Sequence, residues 1–325
     1  MGIAGCGSLD ENRTPKAAEP ARAPKPREAP AGQVVRVGSL PEGVVADTRT
    51  PGVAVGVREP DELVLLDGRS GRVIRRVKLP AAPRHLQLAG SGGPVLVPAE
   101  RANALAEVPL SGRTGSRFRE TAVGAQPHDA TAVGDRIFVG DERGDTVTVL
   151  ENGRQVGRFA VARQPGGLAP VGDGSQVAVV SVRDRVVELF DAESFKRLGK
   201  VNAGVGPTHV VSDGEQYLYV TDTAGDALLV FRTQPELRLV RRLAMPTSPY
   251  GIALDRRRER LFVTLTGTNR LVKLRTNGPR TVANLPTVQQ PDTVAVDEST
   301  GRAFVTGRVD GVLQLIDPAD REPEP

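Results

Sequence analysis

A proline recurs seven times along this chain at nearly constant intervals. It stands at Pro41, Pro83, Pro127, Pro165, Pro207, Pro249 and Pro291. The intervals between these prolines are 42, 44, 38, 42, 42 and 42 residues. A period of this length indicates one supersecondary unit per repeat, and such units must stack because none buries its apolar face alone. The period therefore constrains the fold more strongly than any other feature of the sequence.

Each repeat contains four short segments that are rich in β-forming residues. In the sixth repeat these segments are YGIALD (250–255), RLFVTLT (260–266), RLVKLR (270–275) and RTVANLP (280–286). Gly, Asn, Asp and Arg turns separate them, a pattern typical of consecutive antiparallel strands. No stretch between them carries a helical period. Four strands in a unit of about 40 residues predict an all-β fold, a seven-bladed β-propeller with four-stranded antiparallel blades.

The two ends of the chain indicate how the ring closes. The seventh repeat, residues 292–317, contains only three predicted strands, whereas an additional strand, QVVRVGSL (33–40), precedes the first repeat. We expect residues 33–40 to complete the seventh blade, which would leave no open edge between the first and last blades. Residues 33–317 then form the propeller, and residues 318–325 are expected to be a disordered tail.

The repeat motif resembles that of the YVTN family of bacterial β-propellers. The resemblance rests on the second-strand segments LYVTD (218–222), LFVTL (261–265) and AFVTG (303–307), followed by a turn residue and an apolar third strand. It covers residues 33–317 and implies the propeller fold. It implies no single activity, because propellers of this kind carry unrelated functions.

An Asp or Asn also recurs in the turn before the third strand. The positions are Asp61, Asn103, Asp145, Asp184, Asp226, Asn269 and Asp310. Because the residue recurs in every repeat, we interpret it as forming turns through side-chain hydrogen bonds rather than as one functional site.

Composition excludes several classes of function. The chain has one Cys, so it cannot form an internal disulfide, and it has no CxxCH motif for covalent haem. It carries 43 basic and 39 acidic residues, interspersed and without a basic stripe among aromatic residues, so we expect no nucleic-acid partner. It contains neither an HExxH motif nor a GxSxG nucleophile elbow.

The N-terminus suggests lipid attachment. Residues 3–6, IAGC, resemble a bacterial lipobox, in which cleavage exposes the cysteine, here Cys6, for lipidation. Only five residues precede Cys6, so the other regions of a signal peptide are absent; either the true start lies upstream or the match is accidental. We expect residues 1–6 to be the remnant of a signal peptide and residues 7–32, rich in Pro and Ala, to be a disordered tether. The alternative is an ordinary cytoplasmic N-terminus.

All three histidines follow a repeat proline. In a propeller the first strand of each blade lines the central channel, so the residues after the prolines should ring one mouth of that channel. The predicted ligand-binding residues are Glu42, Arg84, His85, His128, Asp129, His209, Tyr250 and Asp292. Thr208 and Thr293 share these positions, and Gly43, Gly166, Gly167 and Gly251 should leave gaps.

Two interpretations of the histidines are open. In the functional one, His85, His128 and His209 hold a divalent metal, or a histidine beside a carboxylate acts as a general base. In the structural one, the imidazoles satisfy buried backbone groups where the strands converge.

Two functions are therefore carried forward. The first is an extracytoplasmic propeller, anchored to the bacterial membrane through Cys6, that binds a small ligand or an envelope protein through the channel mouth and loops. The second is a metal-dependent enzyme similar to propeller lactonases or lyases, with its site on the axis; no catalytic residue of those families can be assigned to a position in this chain. A haem-dependent electron-transfer role has no motif to support it.

Overall fold

A computed structural model of the chain describes residues 18–111 and 117–319, which form seven four-stranded antiparallel sheets. The predicted all-β, seven-bladed propeller is confirmed. The first strand, β1 (Gln33–Arg36), belongs to the last blade and is described with it below. Three short 3-10 turns, Glu100–Ala102, Gly172–Gly174 and Thr266–Thr268, interrupt the loops. In the described ranges we find no helix with the length and apolar character needed to cross a lipid bilayer.

The first four blades each follow the chain from the inner strand to the outer strand. Blade one contains β2 (Ser39–Ala46), β3 (Gly52–Glu59), β4 (Asp61–Asp67) and β5 (Val73–Lys78). Blade two contains β6 (Gln87–Leu88), β7 (Val95–Ala99), β8 (Ala104–Val108) and β9 (Arg119–Ala122). Blade three contains β10 (Pro127–Val133), β11 (Arg136–Asp141), β12 (Thr146–Glu151) and β13 (Arg154–Ala160). Blade four contains β14 (Pro165–Val171), β15 (Gln176–Ser181), β16 (Val186–Asp191) and β17 (Arg197–Asn202).

The last three blades follow the same order, apart from the outer strand of the seventh. Blade five contains β18 (Pro207–Ser212), β19 (Tyr217–Asp222), β20 (Ala227–Arg232) and β21 (Arg238–Ala244). Blade six contains β22 (Pro249–Asp255), β23 (Arg260–Leu265), β24 (Arg270–Arg275) and β25 (Thr281–Pro286). Blade seven contains β26 (Pro291–Asp297), β27 (Arg302–Gly307) and β28 (Val312–Ile316), and β1 is its outer strand.

Closure of the ring by the N-terminal strand is therefore observed. Val34 lies opposite Gln314 and Val35 opposite Leu313 in the β1–β28 ladder. The closing strand is shorter than the predicted 33–40, because Ser39 and Leu40 already belong to β2 of blade one. Blade seven is thus built from both ends of the propeller sequence, which ties the two ends together through backbone hydrogen bonds.

The core lies between neighbouring blades. One cluster joins blades four and five through Val180, Leu189, Leu218 and Phe231, all with less than 3% of their surface exposed. A second joins blade one to blade seven and includes Phe304. Since the second strands are covered on both faces, they are apolar at nearly every position, as the sequence indicated.

The recurring turn residues also connect blades. The side-chain oxygen of Asn103 accepts the backbone N–H of Gln126, and that of Asp226 accepts the N–H of Ser248, both at 2.9 Å. Asn103, Asp145, Asp226 and Asn269 adopt a left-handed backbone with φ between 49° and 56°. Asn and Asp tolerate this conformation best after Gly, which accounts for their recurrence. The structure thus gives these four residues the turn-forming role that was expected, whereas in blades four and seven the residue after the recurring Asp, Arg185 or Gly311, adopts the left-handed backbone.

The segment of residues 18–32 is ordered on the propeller, although we expected all of residues 7–32 to be a disordered tether. We call this segment the N-terminal strap. The amide of Gln290 accepts the N–H of Ala23 at 2.8 Å and donates to the carbonyl of Ala21 at 2.9 Å. Glu28 forms an ion pair with Arg270 at 2.8 Å. These side chains supply the polar partners that an isolated Pro-rich segment lacks. The expected signal-peptide remnant, residues 1–6, and the tether residues 7–17 lie outside the described ranges, as do residues 320–325 of the expected tail.

Candidate functional site

An irregularity after the repeat proline turns the predicted site residues toward the axis. In blade three the ladder between β10 and β11 shifts register between Pro127 and Asp129. The inner strands of blades one, four, five, six and seven shift register at the equivalent place, directly after the repeat proline. Such a β-bulge re-aims side chains locally. In blade two an isolated bridge between Pro83 and Ala99 is the pairing described before the two-residue strand β6, and the N–H of His85 donates to the carbonyl of His128 in blade three at 3.2 Å.

The three histidines and Tyr250 meet on the axis as one cluster, which we call the imidazole plug. The ring centroids of His85 and His209 lie 4.2 Å apart, and those of His85 and His128 lie 4.5 Å apart. Tyr250 packs edge-on against His209 at 4.5 Å. The sequence prediction that side chains from separate blades gather at one point is thus reproduced by the structure.

The rings of the plug pack against one another, two pairs edge-on and one pair tilted, rather than around a common metal position. The 4.2 Å separation of His85 and His209 is a stacking distance, with 32° between the ring planes. Within residues 18–111 and 117–319, no group of three or more His, Cys, Asp or Glu side chains is arranged to hold a metal ion. The described geometry therefore offers no ready-made site for the divalent metal that we considered.

The plug histidines differ in their hydrogen bonding. The His85 ring is hydrogen-bonded to the backbone of Gly166, and His128 Nδ1 lies 2.7 Å from Glu142. His209 is 9% exposed, and neither of its ring nitrogens has a partner among the described residues. Burial, reinforced by nearby His128, lowers the pKa of His209 to about 3, and burial likewise lowers the pKa of His85. Both imidazoles are therefore neutral at physiological pH.

Glu42 is the centre of an ionic network on the proline side of the plug. Its carboxylate is 3% exposed and contacts Arg58 at 2.8 Å, Arg84 at 2.9 Å and Arg308 at 3.1 Å. Although burial opposes ionisation, the three guanidinium groups lower the pKa of Glu42 to about 2. The network joins blade one to blade two through Arg84 and to blade seven through Arg308, so it crosses the point where the ring closes.

Asp292 is the least satisfied carboxyl in this network. It is fully buried, Arg308 lies 3.4 Å from Oδ2, and Oδ1 has no partner among the described residues. Burial, together with the negative charge of Glu42, raises the pKa of Asp292 to about 7. Asp292 is therefore a carboxyl that can exchange a proton near neutral pH.

Asp129 lies apart from this network, although it was predicted with the others. Its oxygens accept the N–H groups of Ala130 and Leu168 at 2.9 and 2.8 Å and the amide of Gln87 at 3.0 Å. Asp129 thereby satisfies buried backbone N–H groups on the inner strands of blades three and four. Its role in the structure is to join blades two, three and four.

The glycines near the mouth are required by close strand approach rather than by the need for open space. A Cβ at Gly43 would lie 2.4 Å from the carbonyl oxygen of Arg84, and one at Gly251 would lie 2.3 Å from that of Asp292. At Gly43 and Gly251 the expectation that the glycines leave gaps was therefore wrong, because the backbone of the neighbouring inner strand occupies the space.

A second ring of polar residues was missed in the sequence. On the second strand of each blade, one residue pairs with the repeat proline, and the ring is formed by the residue that comes next in the chain. The sequence signal for this ring was that this next position carries a charged residue in four of the seven blades. These four residues are Arg58, Glu100, Glu142 and Arg308. Arg58 bridges Glu42 and Glu100 with distances of 2.8 and 2.9 Å, so the second ring holds the first in place.

The open part of the channel lies on the other side of the plug. We call this blind space of about 390 Å³ the axial cavity. His85, His209 and Thr293 line its closed end. All seven inner strands contribute to its wall, which includes Leu86, Leu88, Ala132, Ile252 and Val296, and Asp47, Arg256 and Glu298 stand at its rim. The sequence located the mouth at the prolines, whereas the cavity opens at the opposite ends of the inner strands.

Comparison with known proteins identifies the fold but no family. No protein-family profile matches the chain, and no curated protein matches its sequence. Among solved structures, hydrazine synthase of Kuenenia stuttgartiensis superposes with a TM-score of 0.76 at 15% identity, covering 87% of this chain and 96% of that one. A streptogramin B lyase gives 0.73 at 16% identity, with 87% and 96% covered. The β-propeller domain of Cps50 (Swd1) from Myceliophteria thermophila gives 0.74 at 13% identity, with 87% and 97% covered. At these identities the likeness shows a shared seven-bladed propeller fold and nothing about activity.

Proposed function

We propose that this protein is a binding module that takes a small, neutral ligand into the axial cavity. The observation that carries the proposal is a cavity of about 390 Å³ enclosed by all seven blades. Small-molecule sites in proteins are typically pre-formed concavities of about 300–1,000 Å³ with mostly apolar walls and a few polar groups. The axial cavity meets each of these conditions.

The charge distribution favours a neutral ligand. The imidazoles at the closed end are uncharged at physiological pH, and the hydrogen bonds of Asp129 are directed to backbone and to Gln87. The charged groups at the rim include Arg256 and Glu298, which neutralise each other at 2.8 Å. A ligand charge placed deep in the cavity would lose its hydration without gaining an ionic partner.

A cavity-filling variant tests the proposal. Ala132 lines the cavity, so Ala132→Phe should abolish the binding of neutral aromatic fragments measured by saturation-transfer NMR. Val156→Phe, at an exposed position of β13, is the matched control and should bind as the wild type does. Equal binding by both variants, or no binding by the wild type, would contradict the proposal.

We also propose that the module is extracytoplasmic and anchored to the bacterial membrane through Cys6. The support is the IAGC sequence around the single cysteine of the chain, together with the likeness of its repeats to the bacterial YVTN propellers. We propose an envelope protein as a second partner. Expression of the natural gene in bacteria should place the protein in the membrane fraction with a labelled acyl chain, and Cys6→Ser should release it. A soluble, unlabelled wild-type protein would refute the anchor.

One observation favours an enzyme as the alternative function. Asp292, with a pKa of about 7, lies 3.4 Å from Arg308 and would transfer the proton in a lactonase-like or lyase-like reaction, provided that an opening of the site admits substrate to this fully buried carboxyl. The wild type would then turn over lactone substrates with a pH profile that inflects near neutrality, and Asp292→Asn would abolish turnover while the protein stays folded. Activity that persists in Asp292→Asn would remove this residue from the reaction. A metal requirement is tested in the same assay by comparing chelated protein with protein supplied with divalent cations.

A further inference from the structure

We propose a second binding site, specific for a neutral saccharide, in a groove between blades five and six. This inference does not depend on the axial cavity. The groove has a volume of about 480 Å³, and we call it the five–six groove. Its lining includes Tyr217, Tyr219 and Thr276, together with charged groups from both blades.

Two of the three tyrosines of the chain lie in this groove. Tyr217 is half-buried, whereas Tyr219 is 4% exposed and hydrogen-bonds the side chain of Thr276 in blade six. The hydrogen bond crosses the blade interface and fixes the inner ring. The half-buried ring of Tyr217 presents an apolar face beside a polar hydroxyl, which suits the alternating C–H and O–H groups of a pyranose.

The propeller repeat accounts for Tyr219 but not for Tyr217, because the position of Tyr219 is occupied by Phe138, Phe262 or Phe304 in blades three, six and seven. Blade five has QYLYVTD at its second strand, whereas the same strand reads RLFVTL in blade six and RAFVTG in blade seven. Residues at the position of Tyr217 in those blades are Arg260 and Arg302, each at the start of its strand. The fold thus accepts other residues at the position of Tyr217, and this ring is a local property of blade five.

The polar groups of the groove are of both signs and nearly balanced. Three carboxylates, Asp213, Glu215 and Glu259, face two guanidinium groups, Arg241 and Arg256. Such a mixture attracts neither a strong anion nor a strong cation. Sugar hydroxyls, however, can donate to carboxylates and accept from guanidinium groups at the same time. A neutral polyhydroxylated ligand is therefore the class that this set of groups fits.

Several of these groups are held in place before any ligand binds. One oxygen of Asp213 accepts the backbone N–H groups of Glu215, Gln216 and Tyr217 at 2.9–3.0 Å, which fixes the turn at the edge of the groove. Arg256 donates from Nε and Nη2 to Glu298 at 3.0 and 2.8 Å. Groups that are ordered in the free protein lose less conformational entropy on binding.

Saturation-transfer NMR with maltose, cellobiose and N-acetylglucosamine tests the site, with galacturonic acid as the charged comparison. We expect saturable binding of at least one neutral sugar and weaker binding of the acid. Tyr217→Ala and Arg241→Ala should each weaken the affinity by about tenfold or more. Because Tyr217 is half-buried, circular dichroism must show that the variants are folded, and Tyr217→Phe, which keeps the ring, should retain most of the binding.

Leu198→Ala, at an exposed position of β17 in blade four, is the matched control and should bind as the wild type does. The absence of saturable binding for every neutral sugar overturns the proposal. Wild-type affinity in both Tyr217→Ala and Arg241→Ala overturns it as well, because the sugar would then bind elsewhere. Ala132→Phe should leave sugar binding unchanged, which separates this site from the axial cavity.

Discussion

The hydroxyl of Thr221 in blade five donates to the backbone carbonyl of Tyr250 in blade six, with 2.8 Å between the oxygens. The same hydroxyl accepts the N–H of His209 in its own blade at 3.3 Å. Thr264 repeats the arrangement one blade later, because it accepts from Gly251 at 2.8 Å and donates to the carbonyl of Asp292 at 3.0 Å. The threonine of the second-strand motif therefore satisfies polar groups of two inner strands, and it supports the backbone that carries Tyr250 and Asp292.

Replacing this threonine should destabilise the propeller. Thr221→Val keeps the shape of the side chain but leaves the Tyr250 carbonyl and the His209 N–H without a partner in a buried place. We expect the free energy of unfolding to fall by about 1–3 kcal/mol in urea denaturation. Thr281→Val, at an exposed position of β25, should change it by less than about 0.5 kcal/mol. Equal effects of the two substitutions would show that the inter-blade bond contributes nothing.

Glu42 should be a main determinant of stability at the closure of the ring. Glu42→Gln leaves three guanidinium groups around a neutral side chain, and we expect a loss of about 2–4 kcal/mol, since the arginines are partly exposed. The surface pair of Glu62 and Arg76 provides the control, and Glu62→Gln should cost less than about 1 kcal/mol.

The same carboxylate predicts an acid dependence of stability. The pKa of Glu42 is lowered in the fold to about 2, so its contribution is fully present above the unfolded value of 4.5 and is lost as pH falls from there toward 2. Thermal denaturation of the wild type and of Glu42→Gln should converge as the pH is lowered through this window. A constant difference between their melting temperatures would be inconsistent with an ionised Glu42.

The lowered pKa of His209 predicts a second pH range, above that of Glu42, in which stability changes. Its pKa is about 3 in the fold and 6.5 when unfolded, so the unfolded chain takes up a proton first as pH falls from 6.5. The contribution of His209 to stability should therefore fall between pH 6.5 and 3, by up to about 1.4 kcal/mol per pH unit, whereas the raised pKa of Asp292 acts in the opposite direction from about pH 7 down to 3.8. His209→Leu should reduce the dependence of the free energy of unfolding on pH in this range. The reduction should be partial, because the pKa of His85 is also lowered and its contribution remains. If the substitution leaves the slope unchanged, His209 is not buried in its neutral form.

The closing strand should be essential to a monomeric propeller. A chain that lacks residues 1–36 loses β1 and exposes the edge of β28, so we expect aggregation in size-exclusion chromatography and a lower melting temperature. A chain that lacks only residues 1–17 keeps both the strap and β1 and is the control. If the longer deletion stays monomeric and as stable as the control, the assigned role of β1 is wrong.

The period of the prolines and the alternation within each repeat determined the architecture of this protein, down to the blade count and the use of an N-terminal strand for closure. Those features are local or periodic, and hydrophobic patterning specifies them one repeat at a time. The sequence also indicated that His85, His128 and His209 meet, because equivalent positions in a ring of blades must surround its axis.

Tertiary structure alone decided what those residues do when they meet. Whether the imidazoles pack against one another or converge on a metal ion depends on how far each inner strand is displaced after its proline. No single repeat encodes that displacement. The partnership of Glu42 with Arg58, Arg84 and Arg308 joins residues from three blades, and the order of the strap arises from side chains more than 200 positions away. Such contacts exist only once the ring has closed, because closure brings the first and last blades side by side.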